Sequence, residues 1–160
     1  MAAYHMRRQE RQITDEAELK EILSQGRYAV IAMCRGGEPY IVTLSYGYDE
    51  AQNALYFHTA HAGLKIDFIQ QNPNVCATIL EDLGYTQNAC AHAYRSVVLF
   101  GKITLIEDAE QKKHGVAVIL NHLEEKPDTI RERVLKSDSV YNTIAVLKLE
   151  IARMTGKKGQ

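Results

Sequence analysis

The chain has 160 residues, 46% of them apolar and 24% charged, with a formal net charge of −1. That length suits one domain with a sizeable core and is short for two, and the near-neutral balance gives no broad basic surface for nucleic acid or an anionic membrane. No apolar run approaches the roughly 18 residues of a spanning helix; residues 1–12 carry basic side chains with no apolar segment behind them, so no signal peptide is expected and a cytoplasmic location is the default.

Residues 1–12 read as a polar arm bearing Arg7, Arg8 and Arg11, either solvated or wrapped on a partner subunit. Thr14 or Asp15 can cap a helix running to about residue 25, with Glu16 and Glu18 at its positive end, Ala17, Leu19, Ile22 and Leu23 on one face and Gly26 as its stop. The near-continuous apolar run 28–34 predicts a strand buried on both faces. Arg35-Gly36-Gly37-Glu38 then turns the chain tightly into a second strand, 40–48. A polar turn, 49–53, joins it to a third strand, 54–59, which makes an antiparallel meander.

The third strand runs through His58 and Thr59 into a small-residue loop with His61 and Ala62, and a helix begins near Gly63 with Lys65 in its first turn. The free N–H groups of a helix start and an adjacent ammonium can converge on a phosphate; the alternative is a solvated surface lysine. Asn72-Pro73 ends the helix. A strand at 75–80, a looser polar stretch at 81–90 and a long strand at 93–106 follow. Gly101 within the long strand suggests a bulge or a close approach, as at a barrel corner. Helices are predicted over 108–122 and 128–136, a last strand over 141–151, and a polar tail over 153–160. These elements predict a single α+β domain, a small antiparallel six-stranded barrel with flanking helices. Cys34, Cys76 and Cys90 form no CxxC pair and read as buried or half-buried free thiols in a reducing compartment. His58 and His61 lie three apart at a strand-to-helix loop, where no metal site is expected.

Several pieces in this order carry a family resemblance: Met6-Arg-Arg-Gln-Glu-Arg-Gln-Ile-Thr-Asp15, Pro39-Tyr-Ile-Val-Thr-Leu-Ser-Tyr-Gly-Tyr48, Leu55-Tyr-Phe-His-Thr59, Gly63-Leu-Lys65, Tyr94-Arg-Ser-Val97 with Phe100-Gly-Lys102, and Thr155-Gly-Lys157. The chain resembles the pyridoxamine 5′-phosphate oxidase-like split-barrel flavoproteins, in the branch that includes the nitroimidazole-resistance (Nim) proteins. The resemblance implies a homodimer of split barrels with flavin mononucleotide (FMN) in clefts at the subunit interface. It implies that Val42, Thr43, Leu44 and Ser45 line the flavin ring, largely through backbone groups. It puts the phosphate among His58, Thr59, His61, Ala62 and Lys65, and brings Tyr94 and Ser96 from the other subunit. It also gives His58 a catalytic part near the flavin, since an imidazole exchanges protons near neutral pH. The implied activity is a flavin-dependent oxidoreductase of a small molecule, with nitroaromatic reduction as its sharpest form and a nicotinamide as the expected electron donor. A non-catalytic flavin binder and a haem-binding relative are the alternatives. Two departures disfavour vitamin B6 oxidation: Leu64 stands where relatives with that activity usually pair an arginine with the lysine, and the chain has no tryptophan.

Overall fold

The computed structural model of the chain describes residues 6–159. A 3₁₀ turn at Gln9–Arg11 leads into β1 (Gln12–Ile13), then α1 (Glu16–Gln25), β2 (Tyr28–Arg35), β3 (Glu38–Ser45), β4 (Gly47–Asp49), β5 (Ala54–Thr59) and α2 (Leu64–Gln71). After these come β6 (Asn74–Thr86), β7 (Ala91–Leu105), α3 (Ala109–Leu123), α4 (Pro127–Val134), α5 (Asp138–Thr143) and β8 (Ala145–Gly159). All strand pairings are antiparallel, in the order β3-β2-β6-β7-β8-β5-β4, with β1 on β8. The described residues form an α+β fold of eight strands and five α-helices, where the sequence predicts six strands. The two short extra strands, β1 and β4, make the difference.

Local chemistry accounts for most boundaries. The Asp15 carboxylate accepts from the Ala17 N–H at the head of α1, and the Asp108 carboxylate caps α3 through the Gln111 N–H. Gly36 and Gly37 both have positive φ, 54° and 88°, between paired Arg35 and Glu38. Two left-handed residues form the tight turn whose twist matches a hairpin.

The strand predicted over 40–48 divides at Tyr46. Its first part pairs with β2, and only Gly47–Asp49 pairs with β5. The Tyr46 side chain is fully buried and its hydroxyl donates to the Leu23 carbonyl at 2.6 Å, which ties the last turn of α1 to the sheet. Tyr46→Phe removes that bond and leaves a buried carbonyl short of a partner. The expected loss is about 1–2 kcal/mol of stability in denaturant unfolding.

The main core lies inside the curved sheet, where Leu23, Ile31, Leu55, Phe57, Phe68, Ile79, Leu99, Ile103 and Leu147 meet. A second, smaller core lies between the other face of β5 and β8 and helix α3, around Ala54, Tyr56, Val116, Ile119 and Val146. The strand β5 is therefore covered on both faces. β2, predicted to be so, is not: its burial alternates, leaving Tyr28, Ala32 and Cys34 exposed. Cys34 and Cys90 are exposed and Cys76 is half-buried, so two of the three thiols are more open than the sequence suggests.

The other departures concern strand length. β6 continues to Thr86 through the stretch expected to be loose, because β7 pairs with it past the barrel as a long hairpin. Residues 138–143 are helical, and β8 begins only at Ala145. The expected polar tail, 153–160, is strand as far as Gly159, hydrogen-bonded to β7 on one side and, at Gly156 and Lys157, to β1 on the other. The described part of the N-terminal arm is thus tied to its own chain's last strand, and residues 1–5 lie outside the described residues.

α3 is fastened to β4 by a hydrogen bond between His114 Nε2 and Asp49 Oδ2 at 2.6 Å. Burial pushes the Asp49 carboxyl upward. The hydrogen bonds from His114 and from the Gln52 and Ala51 N–H groups outweigh it, so the group sits below the ordinary carboxylate range. A carboxylate depressed in the folded state adds stability above its unfolded pKa of about 3.9, and that stability is lost as the pH falls through the lower folded value. Asp49→Asn is therefore expected to lower stability at pH 6 and to flatten the acid loss below about pH 4, measured by urea titrations across pH.

Candidate functional site

The site is built where β5 ends and α2 begins. Ala54, Leu55, Tyr56 and Phe57 are all buried, which anchors the strand. Alternation then sends His58 and Thr59 to opposite faces. Thr59 follows Leu55 and Phe57 toward the main core, and its Oγ1 is buried with no hydrogen-bond partner. His58 follows Ala54 and Tyr56 toward α3 and is exposed, and its ring makes no hydrogen bond among the described residues.

Loop residues His61 and Ala62 are exposed, and Gly63 heads α2 at φ 127°, a conformation that favours glycine. No side chain caps the helix. The Gly63 carbonyl accepts from the Ile66 and Asp67 N–H groups at 2.8 and 3.2 Å, while the N–H groups of Leu64 and Lys65 have no backbone acceptor among the described residues. Lys65 is half-buried and makes no ion pair among the described residues. An orphaned buried hydroxyl, open helix-start donors and an unpaired ammonium are what a phosphate would satisfy. The residues fit the phosphate end of a flavin nucleotide.

Of the expected ring-lining residues, Val42 and Leu44 turn inward and pack on the main core, whereas Thr43 and Ser45 are exposed. β3 ends the sheet order, so the backbone groups of its outer edge are unpaired within the ladder. Tyr94 and Ser96 are brought to neither place. They pair with Gly159 and Lys157 at the far end of β8, whereas His58 and Thr59 pair with Val146 and Ala145 at its start. The Ser96 hydroxyl lies 3.4 Å from the Lys157 carbonyl. Within one chain these two residues are remote from Lys65.

One feature of the site has no forecast in the sequence. His58 lines a cleft of about 180 Å³ whose other walls are aliphatic, from Val116, Ile119 and Leu120 of α3, from α4 and its end, and from Ile144. The apolar faces of these helices are legible in the sequence, but the gap they leave between them is a property of packing.

No described helix is long and apolar enough to cross a membrane. The fold aligns with the solved structure of a candidate 5-nitroimidazole antibiotic resistance protein from Bacteroides thetaiotaomicron, with a TM-score of 0.77 and 28% identity over 92% of this chain and 86% of that one. It also aligns with the flavocytochrome Anf3 of Azotobacter vinelandii, with a TM-score of 0.79 and 19% identity over 97% of this chain and 72% of that one. A third match is an FAD-binding protein from Mesorhizobium loti, with a TM-score of 0.67 and 20% identity over 94% and 98%. At 19% and 20% identity the last two speak for the fold alone. The sequence profile of the pyridoxamine 5′-phosphate oxidase family matches residues 15–158, nearly the whole chain. The chain belongs to the pyridoxamine 5′-phosphate oxidase family of split-barrel proteins.

Proposed function

We propose that this protein is an FMN-binding flavoprotein that acts as an oxidoreductase on a small molecule, working as a homodimer with the flavin between subunits. The observation that carries the reading is the uncapped start of α2, with Lys65 unpaired and the Thr59 hydroxyl buried without a partner. Lys65, Thr59 and the first-turn N–H groups would hold the phosphate. The unpaired edge of β3, with Thr43 and Ser45 on its open face, would lie along the ring. When bound, FMN supplies one- and two-electron redox chemistry that side chains lack. His58 would pass a proton to or from the substrate, its ring being exposed and free of hydrogen bonds among the described residues.

The dimer is supported by the outward face of β2, β3, β6 and β7. Register places Ile41, Ala32, Cys76 and Phe100 in one row across it and Thr43, Val30, Thr78 and Val98 in the next. Ile41 is 63% exposed, Tyr28 and Leu80 56% each. A sheet face of that apolar character is a surface for a partner. In such a dimer Tyr94 and Ser96 are the residues proposed to meet the flavin from the second copy.

The test is an absorption spectrum of the purified protein, identification of any released chromophore, and light scattering at micromolar concentration. Flavin bands, free FMN on release and a dimer are the expected results. A protein that is colourless and ignores added FMN sinks the reading, and so does a persistent monomer that holds flavin. Haem binding is the second reading, and a Soret band in the same spectrum would favour it. Bleaching by a nicotinamide and reoxidation by a nitroaromatic would give the sharper activity; FMN bound without that cycle would mark a flavin carrier.

A further inference from the structure

The cleft behind His58 is the least explained space in the molecule. Its volume is about 180 Å³, and seven aliphatic side chains surround the one imidazole. Helix α4 forms a wall of it yet has no buried residue: Ile130 is half-buried and Val134 is 48% exposed. α4 is tied at its rim by Arg131, which donates to the Asn121 side chain at 2.7 Å, while the Arg131–Asp128 pair lies within the helix itself. A helix whose apolar face looks onto space and whose ties are peripheral leaves part of its burial unmade. The floor is firm by contrast, since Val116, Ile119 and the β5–β8 pair beneath belong to the second core.

We propose that this cleft is a ligand pocket for an uncharged compound of about one ring, with His58 as its single hydrogen-bonding group. An apolar cavity of roughly 150 Å³ takes up benzene, and a space of about 180 Å³ is too small for a helix or strand of a protein partner. No carboxylate, lysine or arginine among the described residues lines it, so an ion entering would lose its hydration with nothing but the imidazole to replace it. Orientation comes from His58, whose ring has no hydrogen-bond partner among the described residues and which stands at the end of a strand buried up to the preceding residue. Apolar walls with one fixed polar group are the usual makeup of a small-molecule site. That the ligand is the substrate of a redox reaction rests on the flavin reading; that the cleft binds it does not.

The experiment is a titration of methyl-labelled protein with phenol and with toluene, followed by NMR, in the FMN-free and FMN-loaded states. Saturable shifts of the Ile119, Ile130 and Ile144 methyls are expected for both compounds in both states. His58→Ala, at an exposed position, is expected to weaken phenol at least fivefold and leave toluene within twofold. Val134→Asp, at a residue 48% exposed, puts a carboxylate in the wall and is expected to abolish both. Absence of saturable shifts overturns the pocket, and so does phenol binding unmoved by His58→Ala. FMN displacing phenol from the same methyls would make the cleft part of the flavin's own seat and overturn it too. If the protein fails to take up FMN but the phenol shifts persist, the flavin reading falls and the pocket stands.

Discussion

Replacing Lys65 with alanine is expected to weaken FMN binding by about 10- to 100-fold and to leave riboflavin within about twofold. A hydrogen bond between charged partners is worth about 1.5–3 kcal/mol, and about 1.4 kcal/mol is a factor of ten. Lys65 makes no ion pair among the described residues, so its removal breaks none there and the loss of charge falls on the ligand. Riboflavin has the same ring and lacks the phosphate, and therefore reports on everything except the contact in question. Equal losses for the two flavins, measured by fluorescence quenching, would show that Lys65 does not touch the phosphate. The companion change is Leu64→Arg. Leu64 is 49% exposed at the first position of α2, so a longer side chain meets no core there. A second cation beside an open helix start is expected to tighten FMN by a few-fold, and less so at high salt, where exposed charges are screened.

The strand end, loop and helix start proposed to hold a phosphate are legible in the sequence because they depend on neighbours along the chain. A strand that ends in Thr59, a short loop and a helix with Lys65 in its first turn lie within a few residues, and helix starts leave N–H groups open in any fold. The parts that escape sequence reading depend on contacts far apart in the chain. Tyr46 breaks the strand after β3 because its hydroxyl answers a carbonyl in α1, a demand that no local pattern carries. The 153–160 segment looks polar, yet it is strand because β7 and β1 flank it. Ladder hydrogen bonds are indifferent to side-chain polarity, so lysines and a threonine sit there as readily as valines. The opposite facing of His58 and Thr59 follows from strand alternation alone. The pleat turns Thr59 toward the main core and His58 toward α3, so the parts proposed for them lie on different faces of the strand.

Gly101→Ala is expected to cost about 3 kcal/mol or more, a fall of about 10 °C in melting temperature for a chain of this size. The register of β7 against β8 shifts between Phe100 and Gly101, where the long strand bends. A Cβ built on Gly101 would lie 2.0 Å from the Glu150 carbonyl oxygen. That oxygen belongs to the backbone of the neighbouring strand, which β5 holds from its other side through the Ala54–Glu150 pair. No rotamer change relieves such a clash; the ladder itself must open. Gly47→Ala provides the graded comparison. Its Cβ would lie 2.6 Å from the Ile119 Cα and N in α3, again backbone, but α3 is a helix packed on one face of the sheet and can move outward as a unit. Its loss is expected to be smaller, and to show at the His58 cleft, which α3 walls. If thermal unfolding places Gly101→Ala within 1 °C of the parent, the glycine is not what lets the barrel turn at this point, and the bend belongs to the bulge alone.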